Sequence, residues 1–162
     1  MMADEASEHL DAAARWVDPL HLDSHSAYRA ALVRLAAQRH PGETARREMR
    51  DYLAWADGAR HVPAVIDACY LLADGDDAEG RVHWMSRAID TARGESWSGT
   101  LGPLYNAMGA AYDELGAHAQ ALRAYEDALA EQRRHGSRAS LVAACWACGT
   151  TAIRLEDWPY AR

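Results

Sequence analysis

GPLYNAMGAAYDELGAHAQALRAYEDALAEQRRH, residues 102–135, holds two helical stripes separated by a glycine. Tyr105, Met108-Gly109 and Tyr112 recur at three- and four-residue spacing. After Gly116, Ala121, Tyr125 and Ala128 do the same. Two such stripes joined by a short turn predict an antiparallel helical hairpin. The small residues Gly109 and Ala121 belong where the two helices cross closely. Tyr105, Tyr112 and Tyr125 are bulky enough to fill the space between this hairpin and its neighbours.

The pattern recurs 40 residues on. Cys148-Gly149, Ala152, Glu156-Asp157-Trp158 and Ala161 stand where Met108-Gly109, Tyr112, Gly116-Ala117-His118 and Ala121 stood. Forty residues back, Val65, Ala68, Cys69, Leu72, Met85 and Ala88 keep the apolar or small character. Arg81 departs from it, and the adjacent Gly80 takes the small role through a one-residue slip. A further step back fails, because Glu48 falls where Ala88 should. These features resemble the tetratricopeptide repeat. Its aromatic, Leu-Gly-like pair, Tyr, Ala and second aromatic are represented here by Tyr105, Met108-Gly109, Tyr112, Ala121 and Tyr125. Arg133 stands in place of the repeat's closing proline. The specific resemblance covers about the last 60 residues and is similar to uncharacterised bacterial members of that family.

The remainder of the chain also reads as helix. Apolar residues are spaced helically over 5–17, and Asp18-Pro19 ends that stretch. Ser24 or Ser26 is expected to cap a second helix carrying Tyr28, Leu32 and Leu35. A third, about 43–57, carries Met49, Tyr52, Leu53 and Ala56, with Gly58 as its C-cap. Pro63 opens a helix to about Ala73, and Asp77 caps the next, which runs to about Arg93. Helices over about 103–115, 118–134 and 138–155 follow, with a last fragment beginning near Trp158. No run alternates in the manner of a strand. The fold class is all-α, with antiparallel hairpins in a single domain. Residues 1–60 read as a degenerate repeat or cap, and 61–162 as repeats over about 61–94, 102–135 and a truncated 142–162. The resemblance implies that they stack in a right-handed superhelix.

It also implies a concave groove lined by the first helix of each hairpin, binding a protein or peptide partner. Carried onto this chain, that groove comprises Ile66, Tyr70, Asn106, Ala110, Asp113, Trp146, Thr150 and Arg154. Asn106 would hydrogen-bond a partner's backbone. Some members of the family grip a terminal carboxylate with lysines, but this chain has none, so no such clamp is expected. A hairpin without its second helix would leave Trp146, Ile153 and Leu155 partly bare. Trp158 and Tyr160 are then candidates for an oligomer interface, most simply in a two-fold homodimer.

Composition narrows the function classes. The 162 residues carry a net charge of −7 with a pI near 5.5, and a nucleic-acid partner is not expected of such a surface. The acidic start is not a signal peptide, and no stretch is apolar enough for a membrane span. Three cysteines without an export signal point to the cytoplasm. Arginine without lysine and abundant alanine are associated with GC-rich bacterial genomes.

Catalytic and metal motifs are weak. Cys145-Trp146-Ala147-Cys148 lies inside a helical stripe rather than at a helix start, so packing is the better reading. His21, Asp23 and His25 offer three ligand types in five residues, but a capped helix start would separate them. Asp74–Glu79 lacks the ligand ladder of a calcium loop. The expectation is a non-catalytic interaction module without cofactor or metal. The alternatives are a sensor of a small ligand or signal peptide, a structural homo-oligomer, and a metal-dependent enzyme built on His21, Asp23 and His25.

Overall fold

The helical spacings are realised in eight α-helices, with no strand among the described residues. The structure is a computed structural model and describes residues 2–18, 20–40, 42–94 and 97–156. The helices are α1 (Met2–Ala14), α2 (Leu22–Arg39), α3 (Glu43–Gly58), α4 (Val62–Asp74), α5 (Ala78–Gly94), α6 (Leu101–Glu114), α7 (His118–His135) and α8 (Arg138–Arg154). A 3-10 turn, Ser98–Thr100, precedes α6. The expected fragment near Trp158 lies outside the described residues. The chain divides into two units, residues 1–75 and 76–162.

In the first unit α2, α3 and α4 each pack on the other two, and α1 packs on α2. Val33 and Leu35 from α2, Met49, Tyr52 and Leu53 from α3, and Val65, Cys69 and Leu72 from α4 are all buried. The start of α2 differs from expectation. Neither Ser24 nor Ser26 caps it. His21 does, its Nδ1 accepting the Ser24 amide at 3.4 Å. Ser26 is instead buried, its hydroxyl 3.2 Å from that of Tyr52. His61 caps α4 in the same manner, accepting the Ala64 amide at 3.2 Å, with Pro63 in the first turn as expected. Gly58 is the last residue of α3 rather than its cap. The chain turns just after it, through Arg60 at a positive φ of 52°.

In the second unit consecutive helices run antiparallel. Arg81 near the start of α5 pairs with Glu114 at the end of α6, while Arg93 at the end of α5 donates to the Tyr105 hydroxyl near the start of α6. The Arg81 charge thus reaches Glu114 at the edge of α6, and Gly80 lies against the Asp76 side chain. Asp77 caps α5 through the Gly80 amide at 2.8 Å, as expected. Gly116 turns α6 into α7 at a φ of 71°, a conformation that favours glycine.

The expected close crossing of α6 and α7 lies at Gly109. A Cβ there would come within 2.6 Å of the Tyr125 ring. Ala121 is fully buried in the same layer, with Tyr125 and Cys148. Gly109→Ala is therefore expected to destabilise the protein by about 1–2 kcal/mol. The overpacking costs about 1–3 kcal/mol and outweighs the gain of up to ~1 kcal/mol in helix propensity. Thermal unfolding checks this, since a propensity gain acting alone would raise the melting temperature.

Candidate interaction surface

One carboxylate ties α6, α7 and α8 together. His118 Nδ1 donates to Asp113 Oδ1 at 2.9 Å. The hydroxyls of Thr151 and Tyr125 donate to Oδ2 at 3.1 and 3.4 Å, and Arg154 reaches the same oxygen at 2.7 Å. Burial by itself would raise the Asp113 pKa. The hydrogen bonds from His118 and Thr151 and the charge of Arg154 outweigh it and hold the group below its usual value. Burial, reinforced by the Asp113 charge, pushes the Tyr125 phenol up to about 12. Asp113 and Arg154, both expected to face a partner, thus spend their charges on each other.

The other residues expected to line the groove differ in what they offer. In the first unit Ile66 is buried and presents no side chain to a partner, whereas Tyr70 is exposed. In the second, Ala110 is exposed. Asn106 is half-buried, and its Oδ1 is buried with no hydrogen-bond partner among the described residues. That oxygen is not placed to meet the backbone of an incoming chain. Thr150 turns its hydroxyl back onto the carbonyls of Trp146 and Ala147. Trp146 is the side chain that stands out, 75% exposed. Trp158 and Tyr160 lie outside the described residues.

Around Trp146 the outer face of α8 forms a shallow open pocket lined by Leu141, Val142, Cys145, Trp146, Gly149, Thr150 and Ile153. Val142 is 63% exposed, and Ile153 and Leu155 are also exposed, as expected for the latter two. The 15 residues 139–153 carry no charge. The opposite face of α8 is fully engaged. Ala144, Cys148, Thr151 and Ala152 are buried, and Cys148 packs on Ala121 and Tyr125. The two cysteines of the motif lie in different environments, Cys145 exposed and Cys148 buried.

Repeat equivalence clarifies what this outer face is. Leu101, Tyr105 and Gly109 of α6 are buried, with the Tyr125 ring of α7 seated over Gly109. Their counterparts 40 residues on are Leu141, Cys145 and Gly149. Cys145 is exposed, Leu141 and Gly149 are only half-buried, and a Cβ on Gly149 would meet nothing within 4 Å. Among the described residues no ring lies over Gly149 as Tyr125 lies over Gly109. The charge-free run 139–153 is the sequence signal that marks this face. Reading α8 only for its groove side overlooks Val142, Cys145, Gly149 and Ile153.

The first unit holds a second, polar pocket of about 370 Å³. Its polar groups satisfy one another: His61 Nε2–H donates to Asp23 Oδ1 at 2.8 Å, Ser26 bonds to Tyr52, and Arg34 pairs with Asp67. The His61 tautomer follows from its cap, since Nδ1 is already accepting an amide. His21, Asp23 and His25 do not converge. His21 caps α2, Asp23 engages His61, and His25 lies edge-on to Trp55 at 4.9 Å. Among the described residues no three histidine, cysteine or carboxylate side chains cluster as a metal site would require.

The described residues thus form an all-α fold in which the outer face of α8 is apolar and exposed. Compared with protein-family models and with curated proteins, the chain matches none. No described helix is long and apolar enough to cross a membrane.

Proposed function

We propose that the protein is a non-catalytic interaction module of tetratricopeptide-like hairpins that accepts an α-helix on the outer face of α8. The observation that carries this reading is the exposed, charge-free outer face of α8, with Trp146, Val142 and Ile153 open to solvent and no described neighbour over Gly149. An incoming helix with an aromatic and small residues on one side would dock as α7 docks on α6. Apolar area around Trp146 would supply the affinity, and the space over Gly149 would supply the register.

This reading places binding on the Trp146 side of α8 and gives Asp113 and Arg154 a supporting role. It favours a partner helix over a small ligand, because the polar pocket of the first unit has its donors and acceptors already paired.

The test uses a synthetic peptide of residues 118–135, which carries the Tyr125 face. It is expected to bind the dilute protein with a Kd on the order of 10–100 µM, the affinity class of small helix-in-groove contacts. Gly149→Leu puts a side chain into that space and should weaken binding at least about tenfold, as a clash in a packed contact does. Titration calorimetry reads both. Absence of binding to the wild-type protein, or equal binding to Gly149→Leu, rejects the proposal.

A further inference from the structure

We infer that the helix seated on the outer face of α8 is α8 of a second copy of this chain, antiparallel to the first. The inference rests on the docking reading above and names its occupant.

The stripe is complementary to itself in one register. In an antiparallel helix pair, positions whose numbers have a constant sum face each other. With the sum at 295, Val142 meets Ile153 of the second copy and Cys145 meets Thr150. Trp146, the largest exposed side chain of the stripe, meets Gly149, the one position with no side chain. Every contact then occurs twice, as two-fold symmetry demands. The Trp146 ring would occupy Gly149 of the other copy much as the Tyr125 ring occupies Gly109 within the α6–α7 hairpin.

Charge points to the same surface. Two chains of net charge −7 repel each other, and residues 139–153 bring no charge to the contact. Arg154 would lie opposite Leu141 with its charge already held by Asp113, so its stem covers apolar surface and its head stays paired. Antiparallel alignment also sets each helix end beside the opposite end of its partner, which suits the two helix dipoles.

A single helix face is smaller than the roughly 1,200 Å² of total area at which stable interfaces begin, so the dimer should be concentration-dependent. Sedimentation equilibrium over about 1–500 µM should show the wild-type mass rising from one chain towards two. Val142→Glu and Ile153→Arg each place a charge on an exposed position of the stripe. Each should weaken dimerisation at least about 100-fold, because an unpaired charge is poorly tolerated in an apolar contact. Combined in one chain, the two charges face each other across the pair and should restore dimerisation to within about tenfold of wild type. Unchanged circular dichroism of the single variants shows that they fold.

A wild-type protein that stays monomeric, a Val142→Glu variant that dimerises like wild type, or a double variant no better than the singles would overturn the inference. The peptide of residues 118–135 separates this failure from failure of the docking reading. If a monomeric protein binds the peptide, the face accepts a helix but not its own copy. If it binds nothing, both readings fall.

Discussion

Replacing Asp113 with alanine is expected to lower stability by about 3–4 kcal/mol, measured as the shift in urea unfolding midpoint at neutral pH. The substitution removes the acceptor for four donors at once. The Thr151 side chain is fully buried and its hydroxyl would lose that acceptor, and the Tyr125 hydroxyl in the same layer would lose its own. Each unsatisfied buried group costs about 1–3 kcal/mol. The half-exposed Arg154 adds little, since solvent takes over its charge. A loss below about 1 kcal/mol would mean that water satisfies these groups and that the carboxylate is not the junction it resembles.

The same residue has a pH signature. Its folded pKa lies below the ordinary carboxylate value of about 3.9. The folded state therefore favours the ionised form. The stability this provides is fully present above the unfolded-state pKa and is lost as pH falls through the folded-state value. Asp113→Asn should consequently cost more at pH 7 than at pH 3. Taking the difference between variant and wild type cancels the titration of the other acidic groups.

The second large effect is expected in the first unit. Tyr52→Ala should cost about 3–5 kcal/mol, the range for emptying a buried aromatic site. The Tyr52 side chain is almost wholly buried in α3, stacks on Trp55 with ring centroids 6.0 Å apart, and shares a hydrogen bond with Ser26 of α2. Tyr52→Phe should cost only about 1 kcal/mol, the worth of a single neutral hydrogen bond. Chemical denaturation of the two variants separates packing from hydrogen bonding. Similar losses for both would show that the buried Ser26 hydroxyl dominates.

Helices were legible because helical periodicity is a local property. Each of the eight helices of the structure lies within a few residues of its expected bounds, and the small residues of the repeat-like pattern mark the Gly109–Ala121 crossing. The cap of α2 was missed for a physical reason. Histidine is an uncommon N-cap, and Ser24 and Ser26 are the residue types that chemistry favours there. Yet His21 and His61 stand 40 residues apart and cap α2 and α4 in the same way, so the interval continued where the small-residue pattern failed at Glu48. The tetratricopeptide resemblance places Asp113 and Arg154 in a groove, while their pairing spans 41 positions and exists only in three dimensions. The charge-free run 139–153 marks the outer face of α8, but the sequence does not tell whether Gly149 is covered, since a covered and an uncovered position carry the same residue.

The junction at Asp113 also bears on how the second unit comes apart. A helix that leans only on the one before it opens locally at little cost. Here α8 is held by α7 through Cys148, and also bypasses it to reach α6 through Thr151 and Arg154. Opening α8 therefore breaks contacts on two helices rather than one. α8 thus behaves as part of the same cooperative block as the hairpin before it, and its outer face stays presented on a firm support.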